Sequence, residues 1–189
     1  MQAELIFLDT EFTGLQRHTT LISLGMVSQS GRGFYAEFTD YDTTQITPWI
    51  TEHVLDKLNG QLPPANANDV VWGNNNVQLS GTRQEVATAL RQWLATFGTV
   101  EVWADVLAYD WVLFCDLFGG AFSIPENIFY APFDLSSLFR IKGIITPAGK
   151  YEGDVSRFEY AGADKTQQHH ALHDARVEMM CYQKLMSNE

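Results

Sequence analysis

The stretch Leu5-Ile6-Phe7-Leu8-Asp9-Thr10-Glu11-Phe12-Thr13-Gly14-Leu15 places two carboxylates directly after an apolar run. Four consecutive apolar residues, followed by a Thr-Gly pair, predict a strand that is buried on both faces. Successive side chains of a strand point to opposite faces, so Asp9 and Glu11 point the same way and lie close together. Two interpretations follow: ordinary surface acids at a strand end, or oxygen ligands for a divalent ion such as Mg²⁺ or Mn²⁺.

Length and composition predict one globular domain over residues 1–189 with a substantial core, because 46% of the residues are hydrophobic and 13% aromatic. The first residues do not have the pattern of a secretory leader, and no stretch approaches the length of a membrane span. Cys115 and Cys181 lie among apolar residues without metal-site spacing, which is typical of buried free thiols in a reducing compartment. We therefore expect a cytoplasmic protein that does not engage a membrane.

The formal net charge of −11 limits the kind of nucleic-acid partner. A protein that coats long nucleic acids without sequence preference needs a basic surface, and this chain has an excess of acids. An enzyme that grips only a few nucleotides is not excluded, because bound metal ions would supply positive charge at its site.

Periodicity and turn residues predict strands alternating with helices after an initial meander. The predicted strands cover residues 5–8, 20–28, 33–39, 100–104 and 128–131, and the predicted helices cover residues 47–60, 82–98, 110–118 and 170–186. The composition of residues 61–81 predicts a long loop, with room for a short strand at residues 70–72. Such a loop is either a mobile flap over a site or a surface insertion without a functional role. The order predicts an α/β fold: a mixed sheet, made of a three-strand antiparallel meander plus parallel strands, flanked by helices.

Asp110 is the candidate for a third acid of the site, because it opens the helix that follows the 100–104 strand. Ligand groups in α/β proteins concentrate at such strand ends. Asp105 and Asp116 compete with it, but Asp105 directly ends the strand as a turn residue would, and Asp116 lies further along the helix.

The segment His169-His170-Ala171-Leu172-His173-Asp174 supplies an acid and candidate bases. His169 and Asp174 are separated by about 140° around a helix, so His169 shares a site with Asp174 only if it lies in the preceding loop. His170 lies about 40° from Asp174, and geometry favours it as the base if the helix begins early. Imidazole accepts a proton near neutral pH, as a general base must. A solvated helix start is the alternative.

Three groups of residues resemble, in order and spacing, the motifs of the DEDDh 3′–5′ exonucleases with an RNase H-like fold. They are the 9–15 stretch D-T-E-F-T-G-L, then Ala108-Tyr109-Asp110, then His169-x-Ala171-x-x-Asp174. The chain is most similar to the compact bacterial and phage exoribonucleases of that family. Many members have Asn four residues before the second Asp, where this chain has Val106.

The resemblance implies a metal-dependent 3′–5′ exonuclease that acts on the 3′ end of single-stranded or 3′-overhanging nucleic acid, with RNA expected. In it Asp9, Glu11 and Asp174 hold one ion, Asp9 and Asp110 a second, and His169 is the general base. It further implies that the residues after Glu11 contact the terminal nucleotide, namely Phe12, Thr13, Gly14 and Leu15. Relatives often form homodimers, for which the aromatic-rich region 103–122 is the expected apolar interface. Cations that could meet the phosphate backbone are Arg140, Lys142, Lys150, Arg157 and Lys165, although the same stretch also fits a solvated mixed-charge loop.

Three other functions compete with this one. The first is a DNA-directed 3′–5′ exonuclease of the same fold. The second is an Asp-dependent phosphatase, which normally has Asp where this chain has Glu11 and needs a later paired-Asp motif that is absent from the sequence. The third is a non-catalytic nucleic-acid-binding module, which has no reason to keep four acids and a histidine.

Overall fold

Six strands form one mixed sheet in the computed structural model, which describes residues 3–65, 76–145 and 154–187. In chain order they are β1 Glu4–Phe12, β2 Leu21–Ser28, β3 Gly33–Phe38, β4 Asn76–Gly81, β5 Val100–Ala104 and β6 Phe133–Asp134. Their order across the sheet is β4-β3-β2-β1-β5-β6. The first three strands pair antiparallel, whereas β4, β5 and β6 add parallel to their neighbours. The predicted meander and mixed sheet are confirmed.

Six α-helices are found in the described ranges. They are α1 Pro48–His53, α2 Arg83–Leu94, α3 Ala108–Leu117, α4 Leu135–Ile141, α5 Arg157–Ala161 and α6 Ala171–Ser187. A capping box is present at the start of α2, because Thr82 and Glu85 satisfy each other's backbone N–H groups. No helix of the described residues has the length and apolar character needed to cross a membrane. Cys115 and Cys181 are both buried and free, as predicted.

Side-chain alternation along β1 divides the core into two layers. Leu8 points to the face covered by α2 and α3, where it joins the larger hydrophobic cluster. Phe7 points to the opposite face, where it packs in the cluster that includes the start of α6. Because alternate residues share a face, Asp9 and Glu11 follow Phe7 onto the α6 side of the sheet. The geometry of one strand thus delivers both acids to the helix that carries the later motif.

Three element predictions are corrected by the structure. The predicted loop at 61–81 ends in the strand β4, whose apolar residues Val77 and Leu79 are buried while Asn76 and Gln78 face outward. The helix predicted to Gly60 ends at His53 and is followed by a 3₁₀ turn at Leu55–Lys57. The strand predicted at 128–131 is reduced to one bridge, and β6 forms later in the chain. The predicted short strand at 70–72 lies outside the described residues.

Candidate active site

Gly25 allows the start of α6 to contact the sheet beside the strand acids. It lies in β2, directly opposite Asp9 of β1. A Cβ at this position would lie 2.2 Å from the backbone nitrogen of Leu172 and 2.3 Å from the carbonyl carbon of Ala171. Only glycine fits beneath a helix backbone this close. The contact fixes the first turn of α6, and with it Asp174, next to the end of β1.

The acids of β1 and α6 form one buried carboxylate cluster. Burial raises the pKa of Asp9 well above its usual value, and the charges of Asp174, Glu11 and Asp110 raise it further. Burial also raises the pKa of Asp174 to about 7. Like charges this close favour the neutral forms unless a cation is present. In the absence of a cation, burial and mutual repulsion therefore favour the protonated forms of Asp9 and Asp174.

Asp110 joins this cluster from the first turn of α3. Its Oδ1 accepts hydrogen bonds from the backbone N–H and the hydroxyl of Thr10, at 3.0 and 2.6 Å. Burial nevertheless raises the pKa of Asp110 to about 6, against the lowering effect of these two bonds. Of the two competing acids, Asp105 lines the same cleft but pairs with Arg157, and Asp116 is exposed.

His169 lies in the turn before α6, and its backbone has the left-handed φ of 69°. The helix begins at Ala171, so the prediction that it starts after His169 is confirmed. The backbone N–H of His169 donates to Oδ2 of Asp174 at 2.9 Å, and its Nδ1 lies 3.4 Å from Oε1 of Glu11. The hydrogen bond to Glu11 raises the pKa of His169, while burial acts in the opposite direction. The structure thus brings together all five residues singled out by their spacing.

A cleft of about 720 Å³ opens beside Glu11 and His169. The four residues predicted to contact substrate all line it: Phe12, Thr13, Gly14 and Leu15. The side chain of Leu15 is 79% exposed, although it is apolar. Phe12 stacks on Tyr109, with ring centroids 5.4 Å apart. The walls of this cleft are apolar and aromatic, while its floor carries the acids.

Thr13 has a different place from its neighbours in the 12–15 stretch. The residue is buried, and its hydroxyl is hydrogen-bonded to Thr19, Thr20 and Gln45. These bonds tie the loop after β1 to the chain segment that precedes α1. The side chain of Thr13 therefore supports the wall of the cleft from inside.

Glu178 is a buried acid beside the cluster that the sequence interpretation did not single out. It lies four residues after Asp174 on α6, and its Oε1 accepts the backbone N–H of Asp105 at 3.0 Å. Burial raises the pKa of Glu178 well above its usual value. With Asp9 and Asp174 it lines a second cavity of about 410 Å³. The sequence could have indicated Glu178 by its spacing from Asp174, because residues four apart share a helix face.

Arg157 is not available to a phosphate backbone. Its side chain is buried, and it donates to Oδ1 of Asp105 at 3.1 Å and to the hydroxyl of Ser136 at 2.8 Å. Lys165 is exposed but bonded to Glu159 at 2.6 Å. The suggested phosphate contact is thus wrong for Arg157, which instead fixes the end of β5; Lys150 lies outside the described residues.

The cluster fits a divalent cation. Glu11, His169 and Asp174 each offer a ligand atom, and these atoms lie within 4.8 Å of one another. Oδ2 of Asp9 and Oδ1 of Asp174 are shielded from solvent and find no hydrogen-bond partner among the described residues. Buried carboxylate oxygens without donors are costly, and a hard cation satisfies several of them at once. These residues are therefore suited to hold Mg²⁺ or Mn²⁺.

We expect the metal-free protein to melt at a higher temperature at about pH 5.5 than at about pH 8. An acid whose pKa is raised by folding binds its proton first in the folded state, so the free energy of unfolding falls as the pH rises. For Asp110 and Asp174, with folded pKa values of about 6 and about 7, this loss extends up to neutral pH. Thermal melts in EDTA across this range test the expectation, and an equal or higher melting temperature at the alkaline end contradicts it.

The fold is similar to that of Escherichia coli exonuclease I. Against the zinc-bound complex of that enzyme with single-stranded DNA the TM-score is 0.63 at 13% identity, covering 100% of this chain and 41% of that one. Against its complex with a dT13 oligonucleotide the TM-score is 0.58, also at 13% identity, covering 99% and 41%. The chain thus spans about two fifths of the length of exonuclease I. The topology and these similarities define the class as proteins with the RNase H-like fold.

Sequence comparison identifies the family. Residues 4–186 match the model of the 3′-5′ exoribonuclease Rv2179c-like domain. The 3′-5′ exoribonuclease Rv2179c of Mycobacterium tuberculosis strain H37Rv is 34% identical over 139 residues, which cover 72% of this chain and 74% of that protein. The chain therefore belongs to the Rv2179c-like family of 3′-5′ exoribonuclease domains, and its enzyme class is that of a 3′-5′ exonuclease.

Proposed function

We propose that the enzyme uses two divalent ions, Mg²⁺ or Mn²⁺, to remove nucleoside 5′-monophosphates from the 3′ end of single-stranded or 3′-overhanging RNA. The observation that carries the proposal is the carboxylate cluster beside an apolar cleft, in which two shielded oxygens, Oδ2 of Asp9 and Oδ1 of Asp174, have no hydrogen-bond partner among the described residues. Membership of an exoribonuclease family supports RNA as the substrate. The acidic composition supports contact with only a few nucleotides, because a net charge of −11 does not favour binding along a long phosphate backbone.

The four acids are proposed as the metal ligands. Asp9, Glu11 and Asp174 would hold one ion, and Asp9 with Asp110 would hold the second. When bound, two ions of this kind stabilise the attacking and leaving oxygens of a phosphodiester displacement. Thr10 positions Asp110 with two hydrogen bonds, while the N–H of His169 positions Asp174. Asp110 and Asp174, the two proposed ligands that lie outside β1, are therefore held in position by the protein before a metal binds.

His169 is proposed as the general base that takes a proton from the attacking water. Its ring lines the cleft, and its Nδ1 faces Glu11 at 3.4 Å. The negative charge of Glu11 stabilises the protonated ring that forms when the proton is taken. The edge of the His169 ring contacts Trp49, at a centroid distance of 5.2 Å, which limits the rotation of the ring.

The cleft wall is proposed to bind the terminal nucleotides by stacking. Leu15 presents an exposed apolar side chain, and Phe12 with Tyr109 presents a stacked aromatic pair. Stacking tolerates every base, so we expect little sequence preference. The backbone carbonyl of Thr13 and the backbone of Gly14 are the proposed contacts to the terminal sugar, since the hydroxyl and the backbone N–H of Thr13 are already bonded within the protein.

His169→Ala is expected to lower kcat by about 10²- to 10⁴-fold, the usual contribution of a general base. Mn²⁺ should still raise the melting temperature of the variant, because a base is not a metal ligand. The geometry also allows His169 to be a ligand, since it lies within reach of Glu11 and Asp174. A variant that no longer responds to Mn²⁺ would show that His169 binds metal and is not the base.

His173→Ala is the matched control for this experiment. His173 lies on α6, with its Nε2 3.1 Å from the backbone oxygen of Asp164 and its ring against Phe158. It takes no part in the carboxylate cluster, so we expect both kcat and the Mn²⁺ response to match those of the unmodified enzyme. A large loss of kcat in this variant would remove the distinction between the two histidines.

Matched RNA and DNA oligonucleotides separate the RNA-directed enzyme from its DNA-directed alternative. Each is offered with a free and a blocked 3′ end, single-stranded and with a 3′ overhang, in the presence of Mn²⁺. We expect a higher kcat/KM for RNA and no turnover of blocked ends. A higher kcat/KM for DNA would overturn the choice of substrate while leaving the exonuclease class intact.

We also propose that the enzyme forms a homodimer and that it is located in the cytoplasm. Exposed apolar side chains in region 103–122 support a subunit interface, among them Val106, Val112 and Phe122. Buried free cysteines support a reducing compartment. Light scattering after size exclusion should give twice the mass of the chain, and the monomer mass would contradict the dimer.

A further inference from the structure

We propose that Tyr35 and His170 are positioning residues for the base, because their stacked rings hold the turn that carries His169. This inference rests on the proposed role of His169. It concerns two residues that neither line the cleft nor offer a ligand atom to the carboxylate cluster.

The first observation is the backbone of His169. Its φ of 69° lies in the left-handed region, which is unfavourable for a non-glycine residue and persists only when the surroundings impose it. The hydrogen bond from its N–H to Asp174 fixes one side of the turn. The other side is fixed through the next residue, His170, whose backbone oxygen accepts the N–H groups of His173 and Asp174 at 2.8 and 3.0 Å.

The second observation is the stack of His170 on Tyr35. The two ring centroids are 4.4 Å apart, and the ring planes are inclined by 17°. The ring of Tyr35 is completely buried, and its hydroxyl donates to Oε1 of Glu37 at 3.0 Å. Glu37 is in turn bonded by the backbone N–H of Asn59, at 2.6 Å. The ring of Tyr35 is therefore held in place by its burial and by the hydrogen bond of its hydroxyl, and His170 packs against this fixed ring.

The third observation is the alignment of this stack with the active site. Tyr35 of β3 is directly opposite Gly25 of β2, and Gly25 is directly opposite Asp9 of β1. Directly opposed residues project from the same face of a sheet, so these three form one row under the start of α6. Tyr35 supports His170, Gly25 leaves room for the helix backbone, and Asp9 lies next to Asp174. One row of the sheet thus sets the position of the base relative to the proposed ligands.

The test compares removal and replacement of the stacked ring. His170→Ala should lower kcat by about 10- to 100-fold with KM nearly unchanged, because a small misplacement of a reacting group is costly. His170→Phe keeps a flat ring on Tyr35 and should restore most of kcat, although it has no imidazole. Both variants should keep the Mn²⁺-induced rise in melting temperature, since the proposed ligands are untouched.

A double-mutant cycle tests the stack itself. Tyr35→Leu should reduce kcat much as His170→Ala does, and the double variant should be no worse than either single one, because both remove the same contact. Additive losses would contradict the proposal. If Tyr35→Leu does not fold, the comparison of His170→Ala with His170→Phe remains decisive.

Two outcomes of the His170 comparison also overturn the positioning role, and they differ from failure of the base. An unchanged kcat in His170→Ala shows that the stack does not position His169. Equal losses in His170→Ala and His170→Phe show that the imidazole of His170 acts chemically. Full activity in His169→Ala would instead refute the proposed base itself.

Discussion

Asp9→Asn is expected to lower kcat by more than about 10³-fold, because Asp9 is the only proposed ligand shared by both ions. Metal ions supply several kcal/mol of transition-state stabilisation, and each 1.36 kcal/mol is worth a factor of ten. Steady-state turnover of a labelled RNA with saturating Mn²⁺ measures this loss.

The same substitution should raise the melting temperature of the metal-free protein. Asp9 has a raised pKa because it is buried among Asp174, Glu11 and Asp110, and the neutral amide removes that repulsion. The variant should therefore be less active and, in EDTA, more stable. A lower melting temperature in EDTA would show that the variant loses activity because it is destabilised. That result would contradict mutual repulsion of the carboxylates in the metal-free protein.

Asp116→Asn is the matched control. Asp116 lies on α3, is exposed, and pairs with the partly exposed Arg83. Surface ion pairs contribute about 0–1 kcal/mol, so this change should alter neither kcat nor the response to metal appreciably. A comparable loss of activity from Asp116→Asn would reopen the choice between the two acids of α3.

Gly25→Ala is expected to destabilise the fold and to reduce activity together. The new methyl group would lie 2.2 Å from the backbone nitrogen of Leu172, so the first turn of α6 must move away from the sheet. Overpacking of a core contact costs about 1–3 kcal/mol, and here the neighbour is backbone that cannot change rotamer. Because this turn carries His169 and Asp174, we expect kcat to fall by about 10²-fold or more even where the variant is fully folded.

Gly98→Ala provides the comparison for that substitution. A Cβ at Gly98 would meet no atom within 4 Å, and its φ lies outside the left-handed region. The free energy of unfolding should be unchanged or slightly increased. Chemical denaturation and turnover of both variants test the pair, and a Gly25→Ala protein with ordinary stability and kcat would contradict the close approach of α6.

The proximity of Asp9 and Glu11 could be predicted from the sequence because it depends on local geometry. Alternation in a strand places residues two apart on one face, whatever the strand packs against. The meander was predictable for the same reason, since its strands follow one another along the chain and β2 is joined to β3 by the short turn at residues 29–32. The loop position of His169 followed from the resemblance to the DEDDh exonucleases, because helical periodicity alone left His170 as an alternative base.

Other features depend on contacts between distant parts of the chain. The strand β4 alternates polar and apolar residues, and it is a strand because its backbone pairs with β3. The close approach at Gly25 has no local signal, since a glycine within a strand is equally typical of a bulge. The hydrogen bonds from Thr10 to Asp110 join residues 100 positions apart. Nor does the sequence around Arg157 indicate that its guanidinium is buried against Asp105.

Product analysis on one RNA decides whether the enzyme is a metal-dependent 3′–5′ exonuclease. A 5′-labelled single-stranded RNA is incubated with the enzyme in Mn²⁺ or in EDTA, and the shortened RNAs and released nucleotides are resolved over time. We expect a ladder that shortens one nucleotide at a time from the 3′ end, with release of nucleoside 5′-monophosphates that stops in EDTA. Cleavage at internal positions, release from the 5′ end, or turnover undiminished by EDTA would contradict it.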